Sequence, residues 1–343
     1  MVKYIFGPVP SARLGRSLGI DPVPLKTCNF SCVYCQLGRT RGLACDRAEF
    51  IDTNKIATEI RDAMTRHGPH DVDWVTFVGS GETTLHSGLG SLIETVKSMT
   101  DLPIAVITNG SLLYRPDVRH ELSVADAVLP SLDAGTDLLY HRINRPHRDF
   151  SFKQHVEGLI EFRQVFNGTM WLEVMLVKGV NETTRALTAI AAAVERIDPD
   201  EVHITLPNRP PAEPWVEPPD NEGLARTMLI LGSVARIVQP PEVAVTPRVE
   251  GNLIDAVHTI VACHPLREVE LVRLLARWAP GRVFETLSNL ADSGKTLVVE
   301  RLGTRFWCAA DTDYPEAEWD EDMRSDGGGL RNARRASPVS LQR

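Results

Sequence analysis

The chain has 343 residues, 43% hydrophobic and 24% charged, a globular balance that buries a core without disulfide staples. A formal net charge of -8 argues against a general electrostatic grip on nucleic acid or an anionic membrane. No apolar run approaches the roughly 18 residues of a membrane span and residues 1–7 read as no secretory signal, so the cytoplasm, with no membrane partner, is the expected location.

In chain order, residues 1–15 are expected to form an N-terminal strap. Its Arg13, with Arg16 just after it, either binds an anionic group or ties the strap to the adjoining domain. Residues 16–250 alternate two patterns. Short runs rich in Val, Ile and Leu at 17–21, 73–78, 103–108, 127–132, 171–177 and 201–206 predict strands buried on both faces. Helices are predicted at 54–67, 89–99, 116–123, 152–166, 184–197 and 221–237. The first of these places Ile56, Ala57, Ile60, Ala63 and Met64 on one face and is expected to stop at Gly68. Six strands alternating with helices make this an α/β chain of parallel βαβ units. Periodicity leaves open whether the sheet is doubly wound or a partial barrel. Residues 208–219 carry Pro210, Pro211, Pro214, Pro218 and Pro219, so they form neither helix nor central strand. They predict a loop that is either a wall of a site or a stiff connector.

Residues 251–312 change pattern. Helices are predicted at 266–278 and 283–291, then a hairpin of 296–301 and 305–309 turning at Leu302-Gly303-Thr304. Helix, helix, hairpin looks like a winged helix, a fold that binds DNA, RNA, peptides or proteins. Residues 313–343 are expected to be a disordered tail.

The chemistry is written in the cysteines. Cys28, Cys32 and Cys35 follow the first predicted strand with the spacing C-x3-C-x2-C, while Cys45, Cys263 and Cys308 are scattered. Thiolates are soft ligands for iron–sulfur clusters and zinc. Three on one loop fit a corner of a [4Fe-4S] cube and leave one iron without a protein ligand, whereas zinc sites show two separated ligand pairs. Cys263 and Cys308 read as ordinary buried thiols. Cys45 has no partner nearby in sequence. His141, His147 and His203 are weaker candidates, and His203, inside the sixth strand, reads as a core residue.

This motif, with Tyr34 directly before its third cysteine, resembles the cluster signature of the radical S-adenosylmethionine (SAM) superfamily. The resemblance covers about residues 15–236. It implies a partial (β/α)6 barrel with the small winged-helix domain appended. It implies that Cys28, Cys32 and Cys35 hold [4Fe-4S] and that SAM chelates the open iron beside Tyr34. One electron, from a donor such as flavodoxin or ferredoxin, then cleaves a carbon–sulfur bond and yields the 5′-deoxyadenosyl radical. Val78-Gly79-Ser80-Gly81-Glu82 is similar to the motif that binds the SAM ammonium, with Ser80 between the glycines and Thr83 where a proline is usual. The same resemblance assigns Asn109, Ser131, Asp133 and Asn181, all at strand ends, to SAM contacts. Residues 7–19 resemble a subgroup related to the wybutosine-forming tRNA enzyme. That enzyme's second cluster needs upstream cysteines, and residues 1–27 contain none, so its pyruvate-condensing reaction is not carried over.

The leading expectation is therefore a radical SAM enzyme that modifies an unidentified substrate, an RNA, a peptide or a small molecule, with a winged-helix domain that would recognise an RNA or peptide. The competing one is an iron–sulfur redox sensor that binds DNA through the same small domain. The Gly-Glu motif at a strand end argues for the enzyme.

Overall fold

In the computed structural model, which describes residues 4–67, 70–239, 253–301 and 303–314, the chain divides into two units. The first takes its described residues from 4–33, 40–208 and 216–239. It carries one eight-stranded sheet: β1 (Ile5–Ser11), β2 (Gly15–Ile20), β3 (Trp74–Phe77), β4 (Ile104–Thr108), β5 (Ala127–Pro130), β6 (Thr169–Met175), β7 (Glu201–Thr205) and β8 (Ala235–Ile237). β1 and β2 form an antiparallel pair, and every pair from β2 to β8 is parallel.

Strand order settles the question that periodicity left open. A doubly wound sheet reverses its order at a switch point. Here spatial order follows chain order throughout. Right-handed crossovers then put every helix on one face, and the sheet curls into a partial barrel. The side-chain alternation agrees. Val75, Phe77, Ile104, Val106, Val128, Met170, Leu172 and Val174 belong to the large helix-facing core. Their neighbours Trp74, Ala105, Ile107, Ala127, Leu129 and Trp171 form a separate cluster with Leu14 on the inner face.

The crossover helices are α1 (Thr53–Arg66), α2 (Leu89–Lys97), α3 (Pro116–Leu122), α4 (Asp137–Ile143), α5 (Phe152–Val165), α6 (Thr184–Ile197) and α7 (Asn221–Leu231). α1 buries Ile56, Ala57, Ile60 and Ala63 and starts on Asp52, whose carboxylate accepts from Asn54 N. It ends at Arg66, and Gly68 lies outside the described residues. No described helix is long and apolar enough to cross a membrane.

Three expectations are corrected. The parallel set has seven strands, not six, because the predicted helix 221–237 breaks. Gly232 turns the chain at φ +70°, and Ala235–Ile237 pairs with β7 as β8. Part of the strap is a strand: β1 carries two prolines, which an edge strand tolerates. α4 lies where no helix was predicted. The strap's arginines make ion pairs with the barrel. The buried Arg13 guanidinium pairs with Glu173 of β6, and Arg16 pairs with Asp73 at 2.7 Å.

The second unit takes its described residues from 34–39, 209–215, 253–301 and 303–314. It contains α8 (Leu253–Cys263), β9 (Leu266–Arg267), α9 (Glu268–Trp278), α10 (Val283–Asp292), β10 (Thr296–Arg301) and β11 (Thr304–Ala309). The strands form one antiparallel sheet in the order β10-β11-β9. The helix expected over 266–278 starts two residues late because Leu266 and Arg267 pair with Trp307 and Phe306. α8 was not predicted. Short stretches from elsewhere in the sequence join this unit. Gly38 bridges to Asp313, Arg39 makes a bidentate pair with Glu213 at 2.8 Å, and Arg209 reaches Glu270 at 3.2 Å. Arg209 and Glu213 of the proline-rich loop are thus held in this unit by ion pairs. Residue 302 of the hairpin turn and residues 315–343 of the expected tail lie outside the described residues.

Candidate cluster and nucleotide site

The C-terminal ends of parallel strands converge on one rim, where α/β folds place their chemistry. Asp21 directly follows β2, and the loop it opens carries Cys28 and Cys32. Asp21 is buried and accepts from Ser80 N at 2.9 Å and from the Ser80 hydroxyl. The loop after β3 wraps this carboxylate closely. A Cβ on Gly79 would lie 2.0 Å from Asp21 Oδ1, and one on Gly81 would lie 2.0 Å from the Thr27 carbonyl oxygen. The glycines therefore let the 79–82 loop press against the cysteine loop itself. Lys26 N donates to Ser80 O at 2.7 Å, and Glu82 N donates to Thr27 O at 2.9 Å.

Glu82 is 1% exposed. Its carboxylate accepts from Thr84 N (3.0 Å), the Thr84 hydroxyl (2.5 Å), the Thr108 hydroxyl (2.6 Å) and Asn109 N (2.6 Å). Burial raises its pKa, and these four donors work against that rise. In this structure Glu82 fastens the end of β4 to the 79–82 loop.

Asn109, half-buried, turns toward the cysteines. Its Nδ2 donates to Asn29 Oδ1 at 2.6 Å and lies 3.9 Å from Cys28 Sγ. Phe30 N donates to the same sulfur at 3.5 Å. Asn144 supplies a matching donor to Cys32 Sγ at 3.7 Å while its Nδ2 also reaches Asp133 Oδ2 at 2.6 Å. Cys28 and Cys32 are unbridged and half-buried, and they pack on Phe30, Ala134 and Tyr140. The Tyr140 hydroxyl is buried without a partner among the described residues.

The remaining predicted residues sit on the same rim with different jobs. Ser131 is half-buried; its carbonyl accepts from His155 Nε2 at 3.0 Å. Asp133, 3% exposed, also accepts from Met175 N at 2.8 Å. Asn181 is wholly buried. Its Nδ2 donates to Asp133 O and Met175 O, both at 2.8 Å, and its Oδ1 accepts from Val177 N at 2.7 Å. That amide is bonded to main chain on both sides, so in this structure Asn181 shapes the rim. Tyr34 and Cys35, both half-buried, belong to the second unit, where Gly38 N donates to Cys35 O and the Tyr314 hydroxyl to Gln36 O.

Among the weaker candidates, His141 is exposed on α4 with Nδ1 3.0 Å from Asp137 O. His203 is buried on the inner face, 2.9 Å from Glu201 and against the Trp171 ring. Sequence reasoning missed Asp21, Tyr140, Asn144 and His155. Asn29 carried a signal, lying inside the cysteine motif. Tyr140 and Asn144 come from a stretch with no predicted element, and His155 reads only as part of a helix face.

The donor set fits an iron–sulfur group. Unbridged thiols, N–H groups aimed at two of the sulfurs and an unpartnered hydroxyl beside Cys32 are what a charged, sulfur-rich guest requires.

His155 gives a pH prediction. It is 4% exposed, stacks on Tyr140 at 5.3 Å, and burial lowers its pKa from 6.5 to about 4. The unfolded chain takes up this proton first, so the contribution is present above pH 6.5 and is lost as pH falls toward 4. Two and a half units correspond to about 3 kcal/mol. His203 is lowered in the same direction. Urea unfolding between pH 7 and pH 4 should therefore show His155→Gln, which keeps a donor for Ser131 O, losing about 3 kcal/mol less than the wild type. Parallel curves would show that His155 is not held neutral.

The Radical SAM superfamily model matches residues 23–189. A UPF0026 protein of Methanocaldococcus jannaschii is 31% identical over 309 residues, covering 88% of this chain and 94% of its own. A Brachyspira hyodysenteriae protein named GTPase Obg is 36% identical over 297 residues, 85% of this chain, and the chain spans 43% of that protein's length. Among solved structures, TYW1 with a lysine-pyruvate adduct bound gives a TM-score of 0.48 at 18% identity, over 63% of this chain and 72% of that one.

Proposed function

This chain belongs to the radical SAM superfamily, and on that premise we propose that it holds a [4Fe-4S] cluster on Cys28, Cys32 and Cys35 and cleaves SAM reductively to modify a substrate. When bound, the cluster and SAM supply reductive scission of a carbon–sulfur bond and a carbon radical able to take hydrogen from an unactivated C–H bond.

The observation that carries this reading is the donor arrangement at two sulfurs. Phe30 N and Asn109 Nδ2 face Cys28 Sγ, and Asn144 Nδ2 faces Cys32 Sγ. Such bonds stabilise thiolate charge and tune reduction potential. Asp133 holds Asn144 in place, and Glu82 holds Asn109 through its main chain. Phe30, Tyr140 and Phe152 form an apolar wall beside Cys28 and Cys32 that excludes water. Glu82 acts in this reading as a positioning residue for the loop that receives the nucleotide.

The second unit, with three helices before a hairpin, is proposed to be a winged helix that grips an RNA or peptide substrate. A flavodoxin- or ferredoxin-type protein is the proposed electron donor.

Anaerobically reconstituted protein with dithionite and SAM should release 5′-deoxyadenosine. Glu82→Ala should retain its iron while its Kd for SAM rises about tenfold or more, because Asn109 N and Thr84 N lose their acceptor. A wild type that keeps its cluster yet never cleaves SAM, and binds specific DNA according to cluster oxidation, would establish the sensor instead.

A further inference from the structure

We propose that Cys45, His147 and Asp149 form a second metal site, for one borderline divalent cation of the zinc class, next to the loop that carries Cys28. One ligand atom from each residue lies within 4.8 Å of the others, and Asp149 Oδ2 is 3.4 Å from His147 Nδ1. Zinc bonds of about 2.0–2.3 Å hold such atoms about 3.3–3.8 Å apart, so small side-chain rotations close the site.

The backbone already holds the three groups together. On the cysteine side, Ala44 N donates to Cys28 O at 3.0 Å, and Ala48 N donates to Leu85 O at 3.0 Å. Between them the Arg47 guanidinium is anchored on Thr84 O (2.8 Å), His86 O (3.1 Å) and Glu121 (2.5 Å). On the histidine side, His147 N donates to Asn29 O at 2.8 Å, Phe30 bridges to Pro146, and Phe150 N donates to His147 O at 3.0 Å. Both loops are thus fastened to the same short stretch, residues 28–30, and their donors meet beside it.

The donor chemistry selects the cation. One thiolate cannot carry an iron–sulfur cluster. A sulfur, an imidazole nitrogen and a carboxylate oxygen together suit Zn2+ over Mg2+ or Ca2+, which take oxygen. Three protein ligands leave a fourth position for water. Cys45 and His147 are half-buried, whereas Asp149 is exposed, which gives the ion a way in. Cys45 Sγ donates to Asp46 Oδ2 at 3.8 Å, a contact that metal binding would replace, with the thiol proton released to solvent. A bound ion cross-links the two loops beside Cys28. This inference does not depend on the SAM reaction.

The test is metal analysis of the full chain, both as purified and after cluster reconstitution, equilibrated with zinc buffered near one micromolar free ion. The expected result is about one zinc per chain, with an X-ray absorption signature of one sulfur at about 2.3 Å and nitrogen or oxygen at about 2.0–2.2 Å. Cys45→Ser and His147→Gln should lose the zinc and keep their iron. Asp149→Asn, at an exposed side chain that leaves the fold intact, should weaken zinc binding about tenfold. The proposal is overturned if no zinc is retained, if the three variants bind it like the wild type, or if the ion shows three sulfurs, which puts it on Cys28, Cys32 and Cys35.

Discussion

Replacing Cys32 with alanine is expected to take the reconstituted protein from about four irons per chain to near zero and to abolish 5′-deoxyadenosine release. The fold should survive. Asn144, which faces the Cys32 sulfur at 3.7 Å, keeps its stronger bond to Asp133 at 2.6 Å. Phe30 and Tyr140 keep their edge-to-face contact at 5.6 Å. Thermal unfolding without cluster should therefore lie within a few degrees of the apo wild type, and Cys45→Ala should hold its iron. Iron analysis and thermal melts on the same samples separate ligand loss from unfolding. A Cys32→Ala protein that still carries four irons and cleaves SAM would remove the basis of the functional reading.

The second large effect belongs to Gly81. A methyl group there would sit 2.0 Å from the Thr27 carbonyl oxygen and 2.7 Å from its carbon. Both atoms are backbone, so no side chain can rotate away. The 79–82 loop is also fastened to the cysteine loop through Glu82 N to Thr27 O and Lys26 N to Ser80 O. Gly81→Ala must either break these bonds or displace the loop carrying Cys28. Overpacking of this kind costs about 3 kcal/mol or more. For a unit of this size that is a fall in Tm of about 6–12 °C. Iron loading should fall with it, because the two loops move together. An unchanged Tm with normal iron would show that the loops are not in contact.

The pH and zinc experiments probe groups that these two variants leave in place. His155 reports on the wall behind the cysteine loop. Cys45, His147 and Asp149 report on the loops fastened to its main chain.

Much of the core was legible in the chain itself. Most strand and helix positions derive from aliphatic runs and helical spacing, because burial on both faces demands one pattern and burial on one face the other. Elements with weak local signals were missed. β1 is interrupted by Pro8 and Pro10, β8 is three residues long behind Gly232, and α4 is a single short helix.

The sequence by itself singled out the candidate metal donors, because three cysteines within eight residues carry both donor identity and spacing. It also put the candidate residues at the ends of predicted strands. Only the tertiary structure decided what surrounds those sulfurs. Asn144 lies 112 residues from Cys32, and Asn109 lies 81 residues from Cys28. Parallel strands are joined by long crossovers, so residues that meet on the rim are far apart in the chain. The strict sequential strand order, the contact of Gly81 with Thr27, and the meeting of Cys45 with His147 and Asp149 arise only when the sheet is assembled. No local pattern encodes them.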